Sequence, residues 1–358
     1  MSWPKPPWPH NWSKDDWSKG SWSKPSWTGG WTKQGLQARL AVSPDRAAQQ
    51  GVESHQTVGL GWHPDTPDRR DRTLRVSAKV PLVAGALPSW AAALPRNSDN
   101  RRYCSPIEDQ EALGSCTAQA VVGAMEYMLR RSGNGEFDGS RLFVYKISRK
   151  LLGWTGDTGA YLRTAMKTVG AFGVPPEQYW PYDINHFEDE PDAFLFAFAG
   201  NYKSLEYTRI DAADLSWDQI LVDVKRVVAG GLPVVFGFST YSSISQAADI
   251  PFPAPNDTMV GGHAVMIAGY DDDRMTADGR REPSLLIRNS WGIGWGEQGY
   301  GYLPYRYVTE GLTQDFWTVL KWDWLNEKGQ DSSAKASAAK GSRGGRKYAA
   351  KNTARKKR

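Results

Sequence analysis

The chain has 358 residues, 40% of them apolar, enough to bury a sizeable core in about two domains. It has no continuous apolar stretch that could span a bilayer, no apolar signal core in its opening MSWPKPPWPH, and two cysteines, Cys104 and Cys116, too few for a disulfide framework. A reducing, cytoplasmic setting is expected, with non-classical export or packaging into an assembly as alternatives. The net charge of +5 conceals an asymmetry: residues 328–358 carry 11 Lys/Arg against one Asp, residues 1–35 five Lys against two Asp, and the intervening body a net charge of −8.

Residues 1–35 lack Leu, Ile, Val and Phe but contain seven tryptophans, spaced four or five apart in a loose Trp-Ser-Lys repeat. Such a segment cannot build a packed core. It is either a low-complexity tail or a docking tag whose indoles and cations suit a nucleobase, a glycan or a membrane interface. Residues 36–57 read as a linker and 58–99 as a leader ahead of a globular body at 100–327. A helix is expected over Cys116–Arg131, where Ala118, Val121, Val122, Met125, Met128 and Leu129 repeat at the spacing of one buried face, and Ser-Gly-Asn-Gly at 132–135 stops it. A second helix is expected near Tyr161–Ala171, and a third after a Ser216 cap, ending at Gly230-Gly231. Beyond it the period changes to that of strands, at 232–239, 263–270, 284–290, 299–305 and 316–322. The body is therefore α+β, helical in its first half (about 100–205) and antiparallel β in its second (about 206–327). Residues 328–358 again lack large aliphatics and read as a disordered basic tail.

Chemistry concentrates in EDQEALGSCTAQA, residues 108–120. Cys116 opens the first helix, where the N-terminal partial charge favours a thiolate and should lower its pKa. A nucleophilic cysteine needs an imidazole. Of the five histidines, His263 alone begins an apolar strand, after Gly261-Gly262. Asn289 ends a later strand and could fix that imidazole, with Trp291 shielding the bond. Gln110 stands six residues before Cys116 and could donate to an oxyanion together with the Cys116 backbone N–H. Cys104 has no such context and is read as structural. The scattered histidines exclude a local zinc motif, and WGIGWGEQGYG lacks the Lys-Ser/Thr of a phosphate loop, so no metal or cofactor is expected. The stretch DDDRMTADGRREPS, between His263 and Asn289, reads as an exposed hairpin turning at Asp278-Gly279.

These segments resemble the papain-like cysteine peptidases. DQEALGSCTA is similar to their cysteine segment, GGHAV to their histidine segment and RNSWGIGWGEQGYGYLPY to their asparagine segment, in the family's order and closest to its bacterial branch. The resemblance implies a two-lobed papain-like fold, a helical lobe and a β-barrel-like lobe, with an extended peptide bound between them. It implies Cys116 as nucleophile, His263 as general base and acid, Asn289 as orienting amide, Gln110 as oxyanion donor and Trp291 as shield. GDTGAYL (156–162) matches the strip that pairs with substrate backbone. Gly159, Ala160 and Tyr161 are then expected along it, and Tyr161, Leu162, Gly261 and Ala264 around the main specificity pocket. Thr117 and Ala160 depart from the usual residues of the family. The expected function is an endopeptidase acting through an acyl-thioester on peptide or protein substrates. A non-catalytic component of a larger assembly, and an amidase or acyl transferase, are the alternatives. The tail at 328–358 is expected to be a solubilising extension or a tether to nucleic acid or another polyanion.

Overall fold

The computed structural model describes residues 37–40, 56–74, 87–89, 92–133, 135–202 and 204–323. The Trp repeat and the basic tail lie outside the described residues. In the stretch read as a linker, β1 (Gln37–Leu40) pairs antiparallel with β2 (Gln56–Gly59), which runs from the end of that stretch into the leader.

The helical half is built around α1 (Cys116–Ser132), buried along nearly its whole length, flanked by α2 (Arg141–Leu151) and α3 (Leu162–Phe172). Helix α1 ends where the periodicity predicts, at Gly133 in the left-handed conformation (φ 72°), with its N–H returning to the Arg130 carbonyl. Helix α2 was not anticipated. Ser140 caps it by accepting from the Phe143 N–H, but Arg141, Lys146 and Arg149 are buried and ion-paired, so polarity does not mark a solvent face. The short α4 (Ala193–Ala199) completes this half.

The second half supplies six strands of a seven-stranded antiparallel sheet, and β3 (Asn97–Asp99), which precedes the helical half, supplies the other. In chain order the sheet contains β3, β4 (Ser204–Arg209), β5 (Val234–Tyr241), β6 (Met259–Asp271), β7 (Ser284–Arg288), β8 (Tyr300–Pro304) and β9 (Thr313–Asp323). The spatial order is β4-β9-β5-β6-β7-β8, with β3 also on β6. Between β4 and β5 runs α5 (Trp217–Ala229), which starts at the predicted Ser216 cap; the structure adds the reciprocal Gln219 bond of a capping box. The one-turn α6 (Arg306–Thr309) separates β8 from β9. The predicted hairpin is present: Met275 bridges Arg281 around Gly279, at φ 79°.

Each half has its own apolar core, one centred on α1 to α3 and one between α5 and the sheet. Strand β6, which carries His263, packs directly on α1, which carries Cys116. Among the described residues no helix is long and apolar enough to cross a membrane, and no group of three or more His, Cys, Asp or Glu side chains could hold a metal ion.

Candidate active site

The turn before α1 is held by a web of short-range bonds. The Ser115 N–H donates to the Leu113 carbonyl at 2.8 Å, and the Gly114 N–H to the Asp157 carboxylate at 2.9 Å. Tyr182 receives the Ser115 hydroxyl at 2.6 Å and donates to the Gln110 carbonyl at 3.1 Å. Gln110 is wholly buried, its Oε1 accepting from Ser290 Oγ at 2.6 Å. The Gln110 backbone N–H donates to the Ser290 carbonyl at 2.8 Å, so the cysteine segment and the asparagine segment are stitched together edge to edge. Asp157 and Tyr145, neither singled out in the sequence, extend this web: Tyr145 donates to Asp157 and accepts from the Gly159 N–H.

On the sheet side, His263 lies in mid-strand opposite Phe238, and Asn289 directly follows β7. His263 Nε2 and Asn289 Oδ1 are 2.7 Å apart. An amide oxygen only accepts, so Nε2 carries the proton. Trp291 stacks on the imidazole at 4.4 Å between ring centroids, and Phe238 meets it edge-on at 5.7 Å. His263 Nδ1 has no hydrogen-bond partner among the described residues. Burial pulls the His263 pKa down to about 4, against the raising effect of the Asn289 bond.

The space between the two sides is filled by the leader. Val58, Leu60 and Trp62 are all buried. The segment runs parallel to the 159–160 strip: the Ala160 N–H donates to the Gly61 carbonyl at 2.8 Å and the His63 N–H to the Ala160 carbonyl at 3.2 Å. The Trp62 N–H donates to the Gly262 carbonyl at 3.1 Å, and Gln110 Nε2 donates to the Gly59 carbonyl at 2.9 Å. This close approach requires glycine. A Cβ at Gly61 would stand 1.9 Å from the Gly114 carbonyl oxygen, and one at Gly59 2.1 Å from that of Leu113.

The electrostatics of Cys116 differ from the sequence expectation. The thiol is pushed up to about 11, because burial beneath the leader outweighs hydrogen bonds from the backbone of Ala264, Gly61 and Thr117. The helix N-terminus is where it was expected, but water is excluded. Burial thus works against charge on both groups, raising the thiol and lowering the imidazole. Cys104 is also a free, buried thiol raised by burial.

Ala160 and Gly159 lie along the leader, and a Cβ at Gly159 would meet the Gly61 carbonyl oxygen at 2.1 Å. Tyr161 packs near His63 and Trp154, while Leu162 and Ala264 share the apolar cluster of Cys116 and Trp62. Gly261 accepts from the Thr240 hydroxyl, and its neighbour Gly262 is the residue that the Trp62 indole covers. His63, set aside in the sequence, meets the Thr158 carbonyl through Nε2 at 2.6 Å. Beyond Trp62 lies a group of charges. Arg209 pairs with Asp211 at 2.9 Å and Asp315 at 3.1 Å, and Arg163 pairs with Asp65 and Asp71 of the leader.

Residues 94–316 match the papain family cysteine proteases. The chain belongs to that family. It is 34% identical to xylellain, a cysteine protease from Xylella fastidiosa, whose crystal structure superposes with a TM-score of 0.60, covering 75% of this chain and 98% of that one. It is also 34% identical over 220 residues to an uncharacterised peptidase C1-like protein of Acanthamoeba polyphaga mimivirus, covering 59% of this chain and 68% of the relative. Cathepsin K of Gallus gallus is 29% identical over 279 residues, covering 74% of this chain and 77% of the relative. The papain-like architecture thus accounts for residues 94–316, and the segment 58–63 lies between the cysteine side and the histidine side of the site.

Proposed function

We propose that this papain-family chain is a cysteine endopeptidase held latent by residues 58–63. One observation carries the reading: the leader's own peptide backbone lies along the 159–160 strip, with one carbonyl on Gln110 Nε2 and its chain over Cys116. A site that holds this peptide can hold another once the leader is displaced.

In the open site, Cys116 gives its proton to His263 Nδ1, the ring nitrogen without a hydrogen bond. The thiolate attacks the substrate carbonyl, forming the C–S bond, and the charge moves to oxygen. Gln110 Nε2 and the Cys116 N–H stabilise that oxyanion. The C–N bond breaks as the imidazolium returns its proton to the leaving amine. Water, deprotonated by His263, then cleaves the thioester. Asn289 holds the imidazole at the required angle, and Trp291 covers the Asn289–His263 bond.

The test is mass spectrometry of a peptide library digested by the full chain after displacement of the leader by Gly61→Val, beside the same chain carrying Cys116→Ala. Internal cleavage that depends on Cys116 supports the reading. Cleavage of simple amides alone would favour an amidase instead. For the tail, the 11 cations at 328–358 against a body of net charge −8 support a polyanion tether. Nucleic-acid binding should fall with salt, log K against log salt having a slope of roughly −4 to −7, and be absent from a chain ending at Glu327.

A further inference from the structure

Helix α4 reads AFLFAFA, seven residues without a polar side chain, yet it lies on the surface of the helical half. Leu195 and Ala199 are buried, and Phe196 packs edge-on against Phe143 and Phe172. Those contacts account for one side of the helix. On the other side Phe194 is 53% exposed and Phe198 is half-buried. Their rings belong to a row that crosses the surface. Phe194 meets the 43%-exposed Tyr179 at 5.5 Å and Phe198 at 5.7 Å; Phe198 meets Tyr202 at 6.2 Å, and Tyr202 meets Phe137 at 4.7 Å. A single exposed aromatic needs no explanation, but rings in contact form a patch of the kind that another surface covers. At the Tyr179 end the row opens onto a cavity of about 400 Å³ whose wall includes Asp183, Asp189, Glu190 and Asp192. With Glu188, these make five acids against three paired cations, Lys146, Arg149 and Lys150, so the wall is acidic, with His186 between Asp183 and Asp189.

The path of the chain ahead of the leader points to the occupant. The Gly59 N–H donates to the Glu111 carbonyl at 2.9 Å, and the adjoining Gln110 carbonyl accepts from Tyr182, whose neighbours Pro181 and Asp183 line the cavity. Strand β1 returns along β2 with Gln37 opposite Gly59. The chain therefore passes residue 37 close to the cavity rim, and the Trp repeat ends two residues upstream. Trp31 and Trp27 lie within about 20 and 35 Å of Gln37 at full extension. The repeat carries five lysines against two aspartates, and each lysine follows a tryptophan by two residues: Trp3 and Lys5, Trp12 and Lys14, Trp17 and Lys19, Trp22 and Lys24, Trp31 and Lys33. Residues two apart share one side of an extended chain, so an indole and an ammonium would face the same surface. Successive indoles would stand about 13 to 17 Å apart, a span that the aromatic row, with steps of 4.7 to 6.2 Å between rings, can match. The tail at 328–358 has the charge but a single aromatic residue, Tyr348.

We propose that residues 1–35 dock on the helical half of their own chain, indoles against the row of Tyr179, Phe194 and Phe198 and lysines toward the acidic wall of Asp183, Asp189 and Asp192. The proposal does not depend on peptidase activity. The test uses the full chain treated with a carbodiimide, which joins lysine amines to carboxylates in contact, and maps the links by mass spectrometry. Mixing chains of ordinary and heavy nitrogen separates links within one chain from links between two. Links within one chain are expected from Lys5, Lys14, Lys19, Lys24 or Lys33 to Asp183, Asp189, Glu190 or Asp192. They should fall at least about fivefold in Tyr179→Ser/Phe194→Ser, the scale of lost aromatic pairing. The same fall is expected when all seven tryptophans of residues 1–35 are replaced by serine. The first variant changes only exposed rings, and the second leaves the described body untouched. Hydrogen exchange at 193–199 should quicken at least about threefold in the second, since opening of α4 no longer has to break the dock. Links to those acids chiefly from lysines of 328–358 would assign the surface to the basic tail and overturn the proposal. So would links only between ordinary and heavy chains, no links, or links and exchange that neither variant changes.

Discussion

Gln110 in the closed chain already does what an oxyanion donor must do: it holds a peptide carbonyl at 2.9 Å with an amide whose oxygen is locked by Ser290. In the displaced-leader chain, Gln110→Ala should lower kcat by about 10²-fold, the cost of one oxyanion donor, with little change in KM. His263→Ala should abolish turnover, and retention of near wild-type rates would refute the arrangement. Asp157 acts one step removed. It holds the Gly114 N–H, two residues before Cys116, and through Tyr145 the Gly159 N–H. Asp157→Ala should therefore lower kcat by roughly 10-fold to 10²-fold by misplacing both, a misalignment effect that Asp157→Asn partly restores. Equal kcat in Asp157→Ala and the parent chain would make its role merely structural. The residues of the main constellation were legible because each sits in a segment whose neighbours are also diagnostic. Asp157 and Tyr145 were not, because each matters through a partner far away in sequence, and neither periodicity nor a local motif records such a meeting.

At the level of elements, hydrophobic period, caps and glycine stops located α1, α3, α5 and the main strands to within a few residues, since each is an apolar run bounded by a local start or stop signal. The path of the leader was not legible. GLGW carries no helix or strand period, and its register is set by what it meets: two carbonyls that tolerate only glycine, and a strip that pairs with it. Its consequence, on the latency proposed above, is a change in thiol chemistry. In the closed chain Cys116 is buried and raised to about 11, so at neutral pH almost none of it is thiolate. Its alkylation by iodoacetamide should be slow at neutral pH and keep rising, about tenfold per unit, through pH 10. Gly61→Val, whose Cβ cannot be placed against the Gly114 carbonyl, should displace the segment and raise the rate at pH 7 by tenfold or more. Mass spectrometry of the labelled peptide separates Cys116 from Cys104. Rapid labelling of wild-type Cys116 at pH 6, or no gain in Gly61→Val, would show that the leader does not govern the site.

For the molecule as a whole, burial of polar groups makes a distinct statement about acid. His263 is lowered from 6.5 to about 4. Its contribution is complete above 6.5 and is lost as pH falls through 4, because the unfolded chain takes up the proton first. Glu126, which accepts from Ser105 and Gly139 beneath Arg288, is raised from 4.5 to about 7. Asp315 is raised from 3.8 to about 7. A raised carboxyl works in the opposite direction: its contribution is complete below the unfolded pKa and is lost as pH rises through the folded one. Asp211, Glu177 and Asp138 are also raised by burial, while His63 is lowered and sides with His263. Between pH 7 and 5 the two strongly raised carboxyls outweigh the imidazole. The closed chain should gain on the order of 2 kcal/mol in that interval, whereas a protein whose acids are only surface-paired would gain nothing. Urea midpoints at pH 7 and pH 5 measure it, and the gain should shrink in Glu126→Gln and Asp315→Asn. A lower midpoint at pH 5 than at pH 7 would mean that these carboxyls are ionised inside the fold, with Arg288 and Arg209 fully offsetting the loss of water.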